Sequence, residues 1–158
     1  MVIIDDKPYL ICGFYKKWRD NSHGSQIYAI ALSGDLKKAA GRSIPLVTER
    51  GSWVFKTTCA RYIKPYLFIN FQKTLKQQTS QCLAVFDVEN DFKMLDEVEI
   101  SSSSREDIFA NHTTFEVVDN KLFVFYPEKG DKIFAKIFEI ESGGHRQKTG
   151  KGRNHVRK

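Results

Sequence analysis

Residues 83–100, LAVFDVENDFKMLDEVEI, place two short apolar runs on either side of a polar turn. Runs of this length that are rich in β-branched and aromatic residues are typical of strands, and the short turn between them predicts an antiparallel pair. The same chemistry recurs along the whole chain, which predicts an all-β fold. The apolar runs are Val2–Ile4, Tyr9–Tyr15, Ile27–Leu32, Ile44–Val47, Trp53–Thr58, Tyr66–Phe71, Cys82–Val88, Met94–Ile100, Phe115–Val118, Leu122–Tyr126 and Ile133–Ile140.

These runs form a repeat. A short run and a polar turn precede YLICGFY, YLFINF and LFVFY, and each of these three segments is followed by a loop and a further strand. The step from Tyr9 to Tyr66 is 57 residues, and the step from Tyr66 to Leu122 is 56. The repeated unit is therefore predicted to be four antiparallel strands, present in roughly two and three-quarter copies.

Four-stranded units at a fixed period resemble the blades of β-propellers, and the stretch 83–100 resembles the third and fourth strands of a WD-repeat or kelch-like blade. The resemblance covers residues 1–142, which we expect to form a propeller-like domain of about three blade-like units. Since closed propellers have about four to eight blades, the chain is expected to be a propeller fragment, to pair with another copy, or to stack on itself.

Charge is distributed unevenly. The chain has 25 basic and 19 acidic residues, a net charge of +6, yet residues 1–80 carry +8 and residues 81–142 carry −8. Complementary charge favours association with another surface. Residues 143–158 lack acidic residues and are predicted to be a disordered tail. This tail is an RNA- or DNA-binding arm, a nuclear-localisation segment or a solvated extension. Its basic residues are Arg146, Lys148, Lys151, Arg153, Arg157 and Lys158.

The loop KKWRDNSHGSQ, residues 16–26, contains the predicted partner-binding residues Trp18, Arg19 and His23. Loops between blade strands commonly bind ligands, and Trp beside Arg is frequent at protein interfaces. The alternative is that Trp18 folds back onto its own sheet.

Catalytic and metal-binding motifs are not found in the sequence. The four histidines and three cysteines form no HxH, HExxH or CxxC motif, so we expect no metal or other cofactor. IYAIALSGDL is similar to blade segments of five-bladed glycosidases, and that resemblance implies catalytic carboxylates, for which Asp5, Asp87 and Glu116 are the candidates.

We therefore expect a non-catalytic protein-interaction module with an accessory basic arm. Nucleic-acid binding through the tail is the alternative function, and a glycosidase-like enzyme is a remote one. With no signal peptide or apolar span and with reduced cysteines, the chain is expected in the cytoplasm or nucleus, without a membrane partner.

Overall fold

The computed structural model describes residues 1–20, 22–51, 53–76, 78–103, 114–127 and 133–140. Within these ranges the chain forms eleven β-strands and no helix, so the all-β prediction is confirmed. Accordingly, no helix in the described ranges has the length and apolarity to cross a membrane. The strands are β1 (Val2–Ile4), β2 (Lys7–Lys17), β3 (His23–Leu32), β4 (Ala39–Arg50), β5 (Trp53–Ile63), β6 (Tyr66–Leu75), β7 (Gln78–Asp87), β8 (Lys93–Ser103), β9 (Thr114–Val118), β10 (Lys121–Pro127) and β11 (Ile133–Glu139).

The chain divides into two compact units, Met1–Ala110 and Asn111–Lys158. The first unit holds a first sheet of strands β1–β4 and a second sheet of strands β5–β8. The second unit holds a third sheet of strands β9–β11. Every neighbouring pair is antiparallel and adjacent in sequence, so two four-stranded sheets and one three-stranded sheet match the predicted repeat. The predicted tail, 143–158, lies outside the described residues.

Two-residue turns fix the start of each repeat. Asp5 and Asp6 join β1 to β2 with φ of 44° and 63°, and Asp119 and Asn120 join β9 to β10 with φ of 49° and 58°. A hairpin turn with both central residues at positive φ matches the twist of the flanking strands, and Asp and Asn tolerate that conformation better than most residues. In the second sheet the corresponding turn is Lys64–Pro65, whose peptide bond is cis.

The strand register corrects the repeat length. Lys7, Tyr66 and Lys121 are equivalent because each begins its strand and pairs with the last residue of the strand before it. The steps are therefore 59 and 55 residues, whereas matching aromatic and aliphatic residues by type predicted 57 and 56. A step of 56 would place equivalent side chains on opposite faces, since strand side chains alternate. With a step of 55, Leu67 matches Leu122, and both are buried.

The hydrophobic core of the first unit lies between the first and second sheets. Phe55 packs edge-to-face on Phe71 with ring centroids 5.6 Å apart. Gly13 allows the sheets to approach, because a Cβ at that position would lie 2.8 Å from the carbonyl oxygen of Phe55. The buried residues of this core are Val2, Ile4, Ile11, Ile27, Ala29, Leu46, Val47, Phe55, Leu67, Ile69, Phe71, Cys82, Ala84 and Phe86.

In this junction the first sheet uses the odd-numbered side chains of β2, such as Ile11, and the second sheet uses the odd-numbered side chains of β6, such as Ile69. Equivalent residues lie 59 apart, so Ile11 is equivalent to Asn70 rather than to Ile69. The two sheets therefore bury opposite faces of the repeat unit. We call the face that the first sheet packs against the second sheet the covering face of the unit; in the first sheet it contains Ile11. We call the face that the second sheet packs against the first sheet the covered face; in the second sheet it contains Ile69.

The pairing of residues in β10 gives the third sheet the same two faces. Leu122, Val124 and Tyr126 share one face and are buried. Phe123 and Phe125 lie on the other, as the alternation of LFVFY predicted.

Candidate functional site

The covered face of the first sheet carries apolar side chains that are not buried. We call it the open face and define it by Ile3, Leu10, Cys12, Phe14 and Tyr28. Ile3, Leu10 and Phe14 are exposed, and the last is 49% exposed. The rings of Phe14 and Tyr28 pack edge-to-face with centroids 6.0 Å apart, so the apolar residues of β2 and β3 form a continuous surface.

The repeat shows how unusual this exposure is within the chain. Leu10 is equivalent to Ile69 in the second sheet and to Val124 in the third. Leu10 is 40% exposed, whereas the other two are 0% exposed. Cys12 is half-buried, and its equivalents Phe71 and Tyr126 are buried. Equivalent side chains that are buried in the second and third sheets are therefore partly exposed in the first sheet.

Trp18 lies at one end of the open face. Its ring rests on Gly24, where a Cβ would lie 2.9 Å from the ring carbons and 2.0 Å from the carbonyl oxygen of Glu49. Lys16 Nζ lies 5.7 Å from the ring centroid and the Arg50 guanidinium 5.4 Å, within the range of cation–π interaction. This packing agrees with the alternative in which Trp18 folds back onto its sheet. The half-buried ring lies next to the half-buried Lys16 and the exposed Arg50.

A turn held by Asp20 positions Trp18. The Trp18 N–H donates to the Ser22 carbonyl at 2.8 Å, and Asp20 Oδ1 accepts from the Ser22 hydroxyl at 2.6 Å and the Ser22 N–H at 3.0 Å. These hydrogen bonds from Ser22, with a smaller contribution from Arg50, lower the pKa of Asp20. Asp20 Oδ2 also lies 3.0 Å from Arg50 Nη1, and because both side chains are exposed this ion pair orients Arg50 more than it stabilises the fold.

The predicted trio of Trp18, Arg19 and His23 is not brought together by the structure. Trp18 lies on the open face, while the exposed His23 stacks on Tyr15, with ring centroids 5.7 Å apart, on the opposite face of the sheet. Arg19 is exposed in the turn. The partner-binding role of the three residues stays a prediction. Sequence reasoning missed Lys16 and Arg50; the latter reaches Trp18 only because β4 pairs with β3.

A second charged cluster joins the two sheets of the first unit. Lys73 Nζ lies 2.9 Å from Glu49 Oε1 and 3.5 Å from Glu97 Oε1. Burial lowers the pKa of Lys73, but the hydrogen bond to Glu49 and the attraction of both carboxylates outweigh it, so the pKa is raised. Glu49 belongs to the covering face of the first sheet and Lys73 to the covered face of the second. This ion pair therefore spans the junction.

A buried polar row runs along the covering face of the second sheet. Gln81 Nε2 donates to Asn70 Oδ1, and the hydroxyls of Thr74 and Thr79 are 3.1 Å apart. Gln81 Oε1 and Ser101 Oγ are buried without a hydrogen-bond partner among the described residues. In the sequence, this row is indicated only by the polar residues within the apolar segments FINFQKT and QTSQCL.

The cysteines occupy different environments, and no disulfide joins them. Cys12 is half-buried on the open face, and its burial raises the pKa of its thiol. Cys82 is buried in the core, where burial and the nearby Glu97 raise its pKa from 9.0 to about 12. Cys82 is thus a core residue, while Cys12 is accessible at the surface.

Two of the three carboxylates named for the glycosidase alternative, Asp5 and Asp87, make separate contacts within the first unit. Asp5 accepts from the Tyr62 hydroxyl at 3.1 Å and lies 3.6 Å from Lys64 Nζ. Asp87 accepts from the Asn90 N–H at 3.2 Å within a turn. Glu116 belongs to the second unit. Among the described residues no group of three or more His, Cys, Asp or Glu side chains is placed to hold a metal ion. The six basic tail residues proposed to bind nucleic acid lie outside the described part of the chain.

Comparison with known proteins gives limited matches. No protein-family model matches the chain. No curated protein sequence matches it either. Among solved structures, the endo-arabinase from Bacteroides thetaiotaomicron VPI-5482 is similar over 83% of this chain, with 15% sequence identity and a TM-score of 0.41. The chain spans 56% of the length of that protein.

Proposed function

We propose that the chain is a propeller-like interaction module that binds a protein partner through the open face of its first sheet. One observation carries this proposal: Leu10 is 40% exposed at a position whose equivalents, Ile69 and Val124, are fully buried. Apolar side chains that are contiguous and exposed cost free energy in water and mark protein-binding surfaces. A partner sheet would remove these side chains from water as the first sheet does for the second.

The cationic cluster defines the chemistry of the partner. Lys16 and Arg50 hold positive charge beside Trp18, and Trp and Arg are the residues most enriched among energetically dominant interface residues. A matching partner has an apolar centre for Leu10 and Phe14 and a carboxylate facing this cluster. The basic arm is an accessory in this account, adding electrostatic attraction.

Thiol alkylation of Cys12 tests the proposal without knowledge of the partner. Cys12 lies on the open face beside Phe14, so a bound partner slows its reaction with N-ethylmaleimide, quantified by peptide mass spectrometry. We expect slower alkylation in an extract of cells that express the chain than in dilute purified protein. Cys59, half-buried in the second sheet, is the internal reference whose rate stays constant.

Two variants make the result specific. Phe14→Glu introduces a charge on the open face beside Cys12 and should restore fast alkylation of Cys12 in the extract. Leu95→Glu changes a side chain that is exposed to a similar extent on β8, away from the open face, and should leave the protection unchanged. Equal Cys12 rates in the extract and in purified protein would refute the proposed function.

A further inference from the structure

The third sheet has an exposed apolar face of its own, which we call the third-sheet face and define by Glu116, Phe123, Phe125, Ile137 and Glu139. The pairing of β10 with β9 and β11 places these side chains on one side of the sheet. Phe125 and Ile137 are exposed, the latter by 50%. This face is thus apolar at its centre and carries two carboxylates at its margin.

The third-sheet face is equivalent to a face of the first sheet that packs on a neighbouring sheet. Phe125 is equivalent to Ile11, and Phe123 to Tyr9, which both belong to the covering face of the first sheet. In the first unit that covering face packs on Ile69 and Phe71, on the covered face of the second sheet. The open face is the covered face of the first sheet, so the chain exposes both halves of a junction that it also forms internally.

The two exposed faces carry opposite charges, and the signs are arranged as in the ion pair that crosses the internal junction. There, Glu49 of the covering face binds Lys73 of the covered face at 2.9 Å. The third-sheet face carries Glu116 and Glu139, and Lys121 lies opposite Glu139 on the neighbouring strand. The open face ends in Lys16 and Arg50, and among the described residues Asp20 forms an ion pair with Arg50. Glu97, on the covered face itself, also lies 3.5 Å from Lys73, and the Glu49–Lys73 pair crosses the junction. In that pair, as in the two exposed faces, the acid lies on the covering side and the base on the covered side.

We propose that the partner of the open face is a second copy of this chain, which binds through its third-sheet face. This inference rests on the proposed function and names its partner. Two different faces meet in such a contact, so the association is heterologous, and each copy keeps one face available for a further copy unless the assembly closes.

Sedimentation equilibrium of the full chain over a wide concentration range tests the proposal. The expected mass rises from one chain of 18.2 kDa to two or more chains as concentration increases. Phe14→Glu blocks the open face and Phe125→Glu blocks the third-sheet face, so each variant alone is expected to remain a single chain. Leu95→Glu is the control and should associate like the unaltered chain. Circular dichroism verifies that every variant retains its strands.

Mixing the two blocked variants gives the distinguishing result. Phe14→Glu retains an intact third-sheet face and Phe125→Glu an intact open face, so the mixture should form a one-to-one pair that grows no further. A mixture that remains single chains, or an unaltered chain that never exceeds one copy, would overturn the inference. If Cys12 is nevertheless protected in a cell extract, the proposed function stands with a different protein as partner.

Discussion

Leu10 and Ile69 are equivalent positions of the repeat, but Leu10 is exposed and Ile69 is buried. Replacing each by alanine should therefore lower the free energy of unfolding by different amounts. Ile69 is fully buried between two sheets, so Ile69→Ala removes buried methylenes and leaves a cavity. Substitutions of this kind cost about 2–5 kcal/mol, and we expect about 4 kcal/mol here because the site lies between two packed sheets that cannot easily collapse.

Leu10→Ala has a smaller expected cost. The leucine side chain has three more carbon atoms than that of alanine, and burying them completely contributes about 2.4 kcal/mol of transfer free energy. Since Leu10 is 40% exposed, roughly three fifths of that amount applies, or about 1.4 kcal/mol. Water fills the space at an open surface, so no cavity cost is added.

Urea unfolding at low protein concentration, followed by circular dichroism, measures both free energies of unfolding. Low concentration keeps the chain as single copies, and an unchanged dependence on urea shows that the variants unfold alike. The expected difference between the two variants is about 2.5 kcal/mol. Equal losses for Leu10→Ala and Ile69→Ala would refute the reasoning, because Leu10 would then be as thoroughly covered as Ile69.

Three further predictions concern other parts of the chain. Gly24→Ala should destabilise the fold by about 1–3 kcal/mol in thermal melting, because its Cβ would lie 2.0 Å from the carbonyl oxygen of Glu49, whereas Gly34→Ala, with no atom within 4 Å, should have little effect. The pKa of Cys82 is raised from 9.0 to about 12, so the neutral thiol's contribution to stability is complete below pH 9 and is lost as pH rises towards 12. Cys82→Ala should therefore reduce the fall in unfolding free energy with pH above 9, measured by urea titration at several pH values. A variant whose unfolding free energy falls with pH as steeply as that of the unaltered chain would contradict this prediction. Deleting residues 143–158 should remove any salt-sensitive retention on duplex DNA or RNA. It should weaken self-association only slightly, because the tail is an accessory that adds electrostatic attraction, and retention that survives the deletion would place nucleic-acid binding elsewhere.

Much of the fold could be predicted from the sequence because strands and hairpin turns are encoded locally. Alternation in LFVFY gave the two faces of β10, and turn residues such as Asp119 and Asn120 separated the strands. The repeat length was wrong by one or two residues because residue type was matched rather than turn position. In strands a slip of one residue reverses the faces, so the equivalence of Leu67 and Leu122 required the observed pairing.

The candidate site was only partly predictable. The loop containing Trp18 could be identified by composition, but its packing on Gly24 depends on which strands become neighbours. His23 lies within β3 rather than in the loop, and its position in that strand places it on the face opposite Trp18. The open face could not be identified from sequence at all, because YLICGFY and YLFINF are equally apolar and only the stacking order distinguishes exposed from buried.

The alkylation rate of Cys12 in purified protein, measured against protein concentration, tests the central claim most directly. If the open face is uncovered in one copy and covered by another, Cys12 reacts rapidly at high dilution and more slowly as concentration rises, while the rate at Cys59 remains constant. In Phe125→Glu the rate at Cys12 should no longer depend on concentration. A Cys12 rate in the unaltered chain that is the same at every concentration, or as slow at high dilution as that of the buried Cys82, would contradict the account.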